Sequence, residues 1–228
     1  MYKKMQILIL GAAQMEEEFR QKFAAGHDLV FLADHRQAQS QLAGASLVFD
    51  LLLASEPQEL SRYQQHPHLV VCCHTVTTTL LALLQHLDGP PAFTLLGFNA
   101  WPGMVNRSCL EMAAWQEADR SRLEELGRQL GTLCLAVDDR VGLVTPRVLC
   151  MLINEAFYTC QEKTAQEAEV DLAMKLGTHY PFGPFEWAEK IGLAQVYQVL
   201  QALYDDTRDE RYKICPALKK AYLRDQLR

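Results

Sequence analysis

The chain has 228 residues, 49% of them hydrophobic and 22% charged, an ordinary globular composition with enough length to bury one large core or two modest ones. A formal net charge of −6 excludes broad non-specific nucleic-acid binding, which needs surplus Lys and Arg against phosphate. No apolar run reaches membrane length and the flanks of Met5–Leu10 do not resemble a signal peptide, so a protein without a membrane span is expected. The seven cysteines form no CxxC pair, and most lie in apolar surroundings. They are expected as packed thiols in a reducing cytoplasm, with no disulfide framework and no metal site.

In chain order, Met5–Leu10, Leu29–Ala33, Leu47–Leu53, Leu69–Cys73 and Phe93–Phe98 read as strands, being short, apolar and bounded by turn residues. Met15–Ala25, Arg36–Leu42, Pro57–Gln65 and Thr77–Leu87 read as the helices between them. Glu117–Leu130 is a further amphipathic helix, with Leu123, Leu126 and Leu130 on one face, and Leu133–Val137 is one more strand. Beyond about residue 144 strands give way to helices: Pro146–Cys160, Glu167–Leu176, Pro184–Ile191 and Leu193–Tyr204, a polar turn at Asp205–Glu210, and a last helix from Pro216. Strand–helix alternation implies βαβ units and a parallel sheet covered on both faces. The expected fold is therefore α/β, a doubly wound parallel-sheet domain over 1–141 followed directly by an all-α domain over 142–228.

The first strand runs into Gly11-Ala12-Ala13-Gln14-Met15-Glu16, where a dinucleotide-binding fold carries GxGxxG. Only Gly11 remains of the three glycines. Ala13 puts a Cβ where a pyrophosphate would approach, and Glu16, Glu17 and Glu18 bring carboxylates to the anion end of the helix. Asp34, about twenty residues past the turn, stands where such a fold holds ribose hydroxyls, although an acid at a strand end also caps helices. Gly11, Ala13 and Asp34 are thus the cofactor-binding candidates, and the altered turn predicts weak or absent binding.

Asp171-Leu-Ala-Met-Lys-Leu-Gly177-Thr-His179-Tyr180-Pro181-Phe-Gly183-Pro184-Phe-Glu186 resembles the signature of the 3-hydroxyacyl-CoA dehydrogenase C-terminal domain, D-x-A-M-x-x-G-x-G-Y-P-M-G-P-F-E. The resemblance extends through Gly142–Arg147, Asn154-Glu155-Ala156, Ile191-Gly192-Leu193 and Glu210-Arg211-Tyr212. It is fainter over Phe98–Met104, similar to F-N-P-x-P-x-M, over His74-Thr75-Val76-Thr77 in place of N-T-S-S, and at the strand-end acids Asp34 and Asp50. It implies a Rossmann-like N-terminal domain, NAD as cofactor, a 3-hydroxyacyl substrate, and a homodimer built through the helical domain.

Its catalytic residues do not carry over. The family's catalytic His falls on Leu96, its substrate-binding Ser on Val76 and its Asn on Pro146. Glu111 stands for the Glu that orients the His, at a spacing longer by a few residues. Only about fourteen residues, roughly 34–47, separate the second and third strands, an ordinary connection length that leaves no room for the family's CoA-holding excursion. The polar residues left as catalytic candidates are His74, Asn99, Glu111 and His179. His74 is either a substitute acid or base or a histidine that closes a strand, and His179 replaces a signature glycine in a loop. Trp101 either stacks on a ligand or fills the emptied pocket, and Cys72 and Cys73 are expected as buried structural residues. Two readings follow: a weakly active or inactive NAD-linked oxidoreductase, or a non-catalytic dimeric module that binds a small or acyl ligand or a protein.

Overall fold

A computed structural model describes residues 4–227 and divides into two compact units, one up to Leu143 and one from Val144. The first unit holds β1 (Gln6–Leu10), α1 (Glu16–Phe23), β2 (Asp28–Leu32), α2 (His35–Ala38), β3 (Leu47–Asp50), a 3-10 segment (Pro57–Gln65), β4 (Val70–His74), α3 (Leu80–Leu84), β5 (Thr94–Phe98), β6 (Cys109–Ala114), α4 (Glu117–Leu130) and β7 (Leu133–Val137). These strands form one seven-stranded sheet in the order β2-β1-β3-β4-β5-β6-β7.

The doubly wound sheet is as expected, with one strand more than the sequence reading found. β1 to β5 are parallel, β6 pairs antiparallel with β5, and β7 runs parallel to β6. The physical reason lies in the connections. No helix separates β5 from β6, so the chain returns in the opposite sense, whereas α4 provides the crossover that keeps β7 parallel to β6. One face of the sheet, with Ile7, Ile9, Phe49, Cys72, Leu96, Phe98 and Met112, packs on Phe19 and Phe23 of α1 and on Leu123, Leu126 and Leu130 of α4. Phe49 joins these layers, its ring centroid 5.2 Å from Phe19 and 5.1 Å from Phe98. Leu8, Leu10, Val48, Val71 and Leu95 alternate with those residues along the strands and are equally buried, as a sheet covered on both faces requires.

Three expected helices are shorter or tighter than read. Asp34 caps α2, its Oδ1 accepting the Gln37 N–H at 3.0 Å, and the helix ends at Ala38. The Thr79 hydroxyl caps α3, while Asp139 accepts the N–H groups of Leu80 (2.8 Å) and Leu81 (3.1 Å), which fixes the helix start three residues later than expected from Thr77. Pro57–Gln65 is 3-10 rather than α.

The second unit holds α5 (Thr145–Gln161), α6 (Glu167–Thr178), α7 (Pro184–Ile191), α8 (Leu193–Thr207), a 3-10 turn (Glu210–Tyr212) and α9 (Pro216–Asp225). Its signature residues are helix-end hardware. The buried carboxylate of Asp171 accepts the N–H groups of Phe185 (2.8 Å) and Glu186 (3.2 Å), satisfying orphan donors at the start of α7. Gly183 is required because a Cβ there would stand 2.3 Å from that carboxylate. His179 ends α6 in the left-handed conformation, φ 57°, which a Cβ-free residue adopts at no cost. Among the described residues no helix is long and apolar enough to cross a membrane.

Candidate functional site

In an open α/β sheet, ligands lie beyond the carboxyl ends of the strands where strand order reverses. Here that reversal falls between β1 and β3, because the chain passes from β1 to β2 on one side and returns to β3 on the other. Gly11 follows β1 with φ 72°, and its N–H donates to the Leu32 carbonyl at 3.0 Å. The side chain of Leu52, just beyond β3, covers this turn: a Cβ on Gly11 would stand 2.5 Å from Leu52 Cδ2. Ala13 is exposed at the turn. Of the three acids that follow, Glu16 pairs with Arg20 through Arg20 Nε at 3.0 Å. Glu18 turns inward and accepts the N–H groups of Gly103 and, at 3.2 Å, Val105. Asp34, exposed, spends an oxygen on the α2 cap.

Sequence reasoning missed a buried polar cluster beside this turn. Asp50 closes β3 with no exposed surface. Its Oδ2 accepts the Tyr63 hydroxyl at 2.7 Å and faces His35 Nε2 at 2.8 Å, and its Oδ1 accepts the Leu52 N–H at 3.0 Å. The other ring nitrogen, His35 Nδ1, lies 3.0 Å from Glu56 Oε2. Burial draws the His35 imidazole down. Hydrogen bonds and charge from Asp50, then Glu56 and Glu59, outweigh it and hold its pKa above the ordinary histidine value. Burial, then Asp50, pushes the Tyr63 phenol far up, so it remains a donor. The available signal was an acid ending the apolar run Leu47-Val-Phe-Asp50, since a buried carboxylate must find partners.

Further along the rim, β4 and β5 bring His74 and Asn99 together. His74 pairs in register with Phe98, and its Nδ1 accepts the Ala100 N–H at 3.0 Å. Burial pushes the His74 imidazole down to about 4. Asn99 is buried, its Oδ1 accepting the Trp101 N–H at 3.0 Å. The β5–β6 register pairs Phe98 with Met112, and continuing it sets half-buried Glu111 level with Asn99. His179 belongs to the second unit, exposed at the end of α6. Trp101 is 2% exposed, so of its two readings stacking on a ligand is corrected: it fills space inside the unit and has no free face on which a ligand could stack. Cys72 and Cys73 are wholly buried, which raises both thiols well above the ordinary range.

A family profile described as 3-hydroxyacyl-CoA dehydrogenase, C-terminal domain, matches residues 142–228. A 3-hydroxybutyryl-CoA dehydrogenase of Bradyrhizobium diazoefficiens is 31% identical over 187 residues, covering 78% of this chain and 63% of the relative. The chain belongs to the 3-hydroxyacyl-CoA dehydrogenase family. A probable 3-hydroxybutyryl-CoA dehydrogenase of Bacillus subtilis is 29% identical over 155 residues, 68% of this chain and 54% of that protein. The chain thus spans between about half and two thirds of the length of the curated relatives it matches. The crystal structure of an (S)-3-hydroxybutyryl-CoA dehydrogenase from Ralstonia eutropha superposes with a TM-score of 0.77 at 19% identity, covering 98% of this chain and 95% of that one, a likeness of fold. Within this 3-hydroxyacyl-CoA dehydrogenase framework, Leu96 and Val76 have no exposed surface and Pro146 is buried in the first turn of α5.

Proposed function

We propose that this chain keeps the family's architecture without its hydroxyl chemistry, as a 3-hydroxyacyl-CoA dehydrogenase-like protein of weak or no dehydrogenase activity. The observation that carries this reading is Leu96. It takes the position that the resemblance gives to the catalytic His, and it lies at 0% exposure in the apolar core among Cys72 and Phe98. No proton transfer is available from an aliphatic side chain there. Nor does His74 replace the missing base. Its Nδ1 is occupied by the Ala100 N–H, which leaves the ring proton on Nε2, and an imidazole pushed to about 4 is a poor proton acceptor at neutral pH.

NAD is the cofactor that the family implies, and the residues of the turn do not fit its pyrophosphate in the usual pose. Leu52 covers Gly11, Ala13 adds a Cβ at the point of closest approach, and the first turn of α1 carries Glu16, Glu17 and Glu18 with no basic residue. Steady-state reduction of acetoacetyl-CoA by NADH tests the reading against the Bradyrhizobium relative as comparator. Loss of a positioned base alone predicts a rate lower by about 10²–10⁴-fold. A rate within tenfold of the comparator would overturn it.

A second reading, a dimeric module that binds a ligand or a protein without catalysis, is supported by α6. Of that helix only Asp171 is buried, while Leu172 and Leu176, one turn apart on one face, are 55% and 71% exposed. Exposed leucines paired on one helix face call for a covering surface. A second copy of this helical unit is the proposed cover.

A further inference from the structure

We propose that the Leu51–Glu56 turn is a proton-operated cover on the Gly11 turn, held closed by the imidazolium of His35. This rests on the reading of Gly11 as the remnant of a dinucleotide turn, but its test needs no nucleotide, so the two fail separately.

The geometry favours a cation. With Asp50 a carboxylate accepting from Tyr63 and from the Leu52 N–H, His35 Nε2 donates to it. The remaining ring nitrogen faces the Glu56 carboxylate at 3.0 Å, an attractive contact only while Nδ1 also carries a proton. The two residues that His35 links flank the same short turn. Asp50 holds the Leu52 N–H, and Glu56 donates its own N–H to the Leu52 carbonyl at 2.9 Å. Leu52 is the residue that covers Gly11. The charged and titratable groups facing His35 are Asp50 from β3, Glu56 from the turn, Glu59, Arg62 and Tyr63 from the 3-10 segment, and Arg36 beside it on α2. Arg62 is engaged by Glu59 and, at 3.2 Å, by Gln39, so the surroundings of His35 are anionic on balance.

When the proton leaves Nδ1, two lone pairs face each other and the Glu56 contact turns repulsive. Glu56, with 46% of its side chain exposed, then moves to water and releases the turn. Because the folded pKa of His35 is raised, the closed form is complete below the ordinary value of 6.5 and is lost as pH rises through the higher folded value. Opening uncovers the Gly11 turn to solvent.

The test follows the cross-peak between the Leu52 methyls and the Gly11 α-protons by NMR, with corrected amide exchange at Glu56, from about pH 6 to about pH 9, a range chosen to bracket a histidine titration. The native chain should lose the cross-peak with the midpoint of the His35 ring titration, and Glu56 protection should fall by up to about tenfold per pH unit above it. In Glu56→Gln the side-chain amide donates to neutral Nδ1, so the contact should persist across the range. A contact insensitive to pH in the native chain, or one lost at the same midpoint in Glu56→Gln, would overturn the proposal.

Discussion

Replacing Leu96 by His is expected to destabilise the N-terminal unit without conferring dehydrogenase activity. Leu96 sits in the middle of β5, paired with Cys72 on β4 and Ala114 on β6, on the face that packs against α1 and α4. An imidazole there has no hydrogen-bond partner among its apolar neighbours, and an unsatisfied polar group in a protein interior costs roughly 1–3 kcal/mol. Lost Leu packing adds about 1 kcal/mol, for a total of about 2–4 kcal/mol. For a chain of this size that corresponds to a Tm lower by roughly 5–15 °C. Chemical denaturation monitored by tryptophan fluorescence reads the loss directly. No acetoacetyl-CoA reduction should appear, because Val76 and Pro146 still stand where the resemblance places polar substrate contacts. A Leu96→His variant that kept native stability and turned over substrate would show that Leu96 merely plugs an intact site.

The second large effect is expected at Leu176. If α6 is covered by a second copy across a two-fold axis, Leu176→Glu places two carboxylates in the interface and removes two buried leucines. Burial of a leucine side chain is worth about 1.5–3 kcal/mol, so the dimer should weaken by at least two orders of magnitude in Kd. Leu176 is 71% exposed within the chain, so the fold itself should be unaffected. Sedimentation equilibrium separates the outcomes: a native dimer that becomes a folded monomer in the variant is expected. A native monomer, or a dimer indifferent to the substitution, would contradict the assignment of this face.

Elements with strong local punctuation were legible in the sequence. The bounds of α4 and α7 match because Gly131 ends the first in the left-handed conformation, φ 67°, and Pro184 opens the second beside a glycine that Asp171 requires. β6 was missed because Cys109-Leu-Glu-Met alternates buried and half-buried positions without a turn signal, and it gains its identity only from β5 and β7 on either side. α3 starts where it does because of Asp139, far away in the sequence.

The site divides the same way. The degenerate glycine turn and the apolar replacements at Leu96 and Val76 are local facts that a sequence displays. The pairing of His35 with Asp50 and Glu56, and the approach of Leu52 to Gly11, join segments across two crossovers. No periodicity encodes such contacts. Asp34 caps the helix it precedes, a use that an acid at a helix start displays locally, whereas Glu18 reaches the backbone amides of Gly103 and Val105, far away in the sequence.

Calorimetric titration of the purified chain with NADH decides whether the architecture is retained without a working dinucleotide site. No heat of binding up to millimolar NADH is predicted, with some affinity appearing in the Ala13→Gly, Glu16→Gln double variant if the site persists in outline. Micromolar binding to the native chain would contradict the claim, since it would mean that the turn accepts a pyrophosphate despite Leu52, Ala13 and the acidic start of α1.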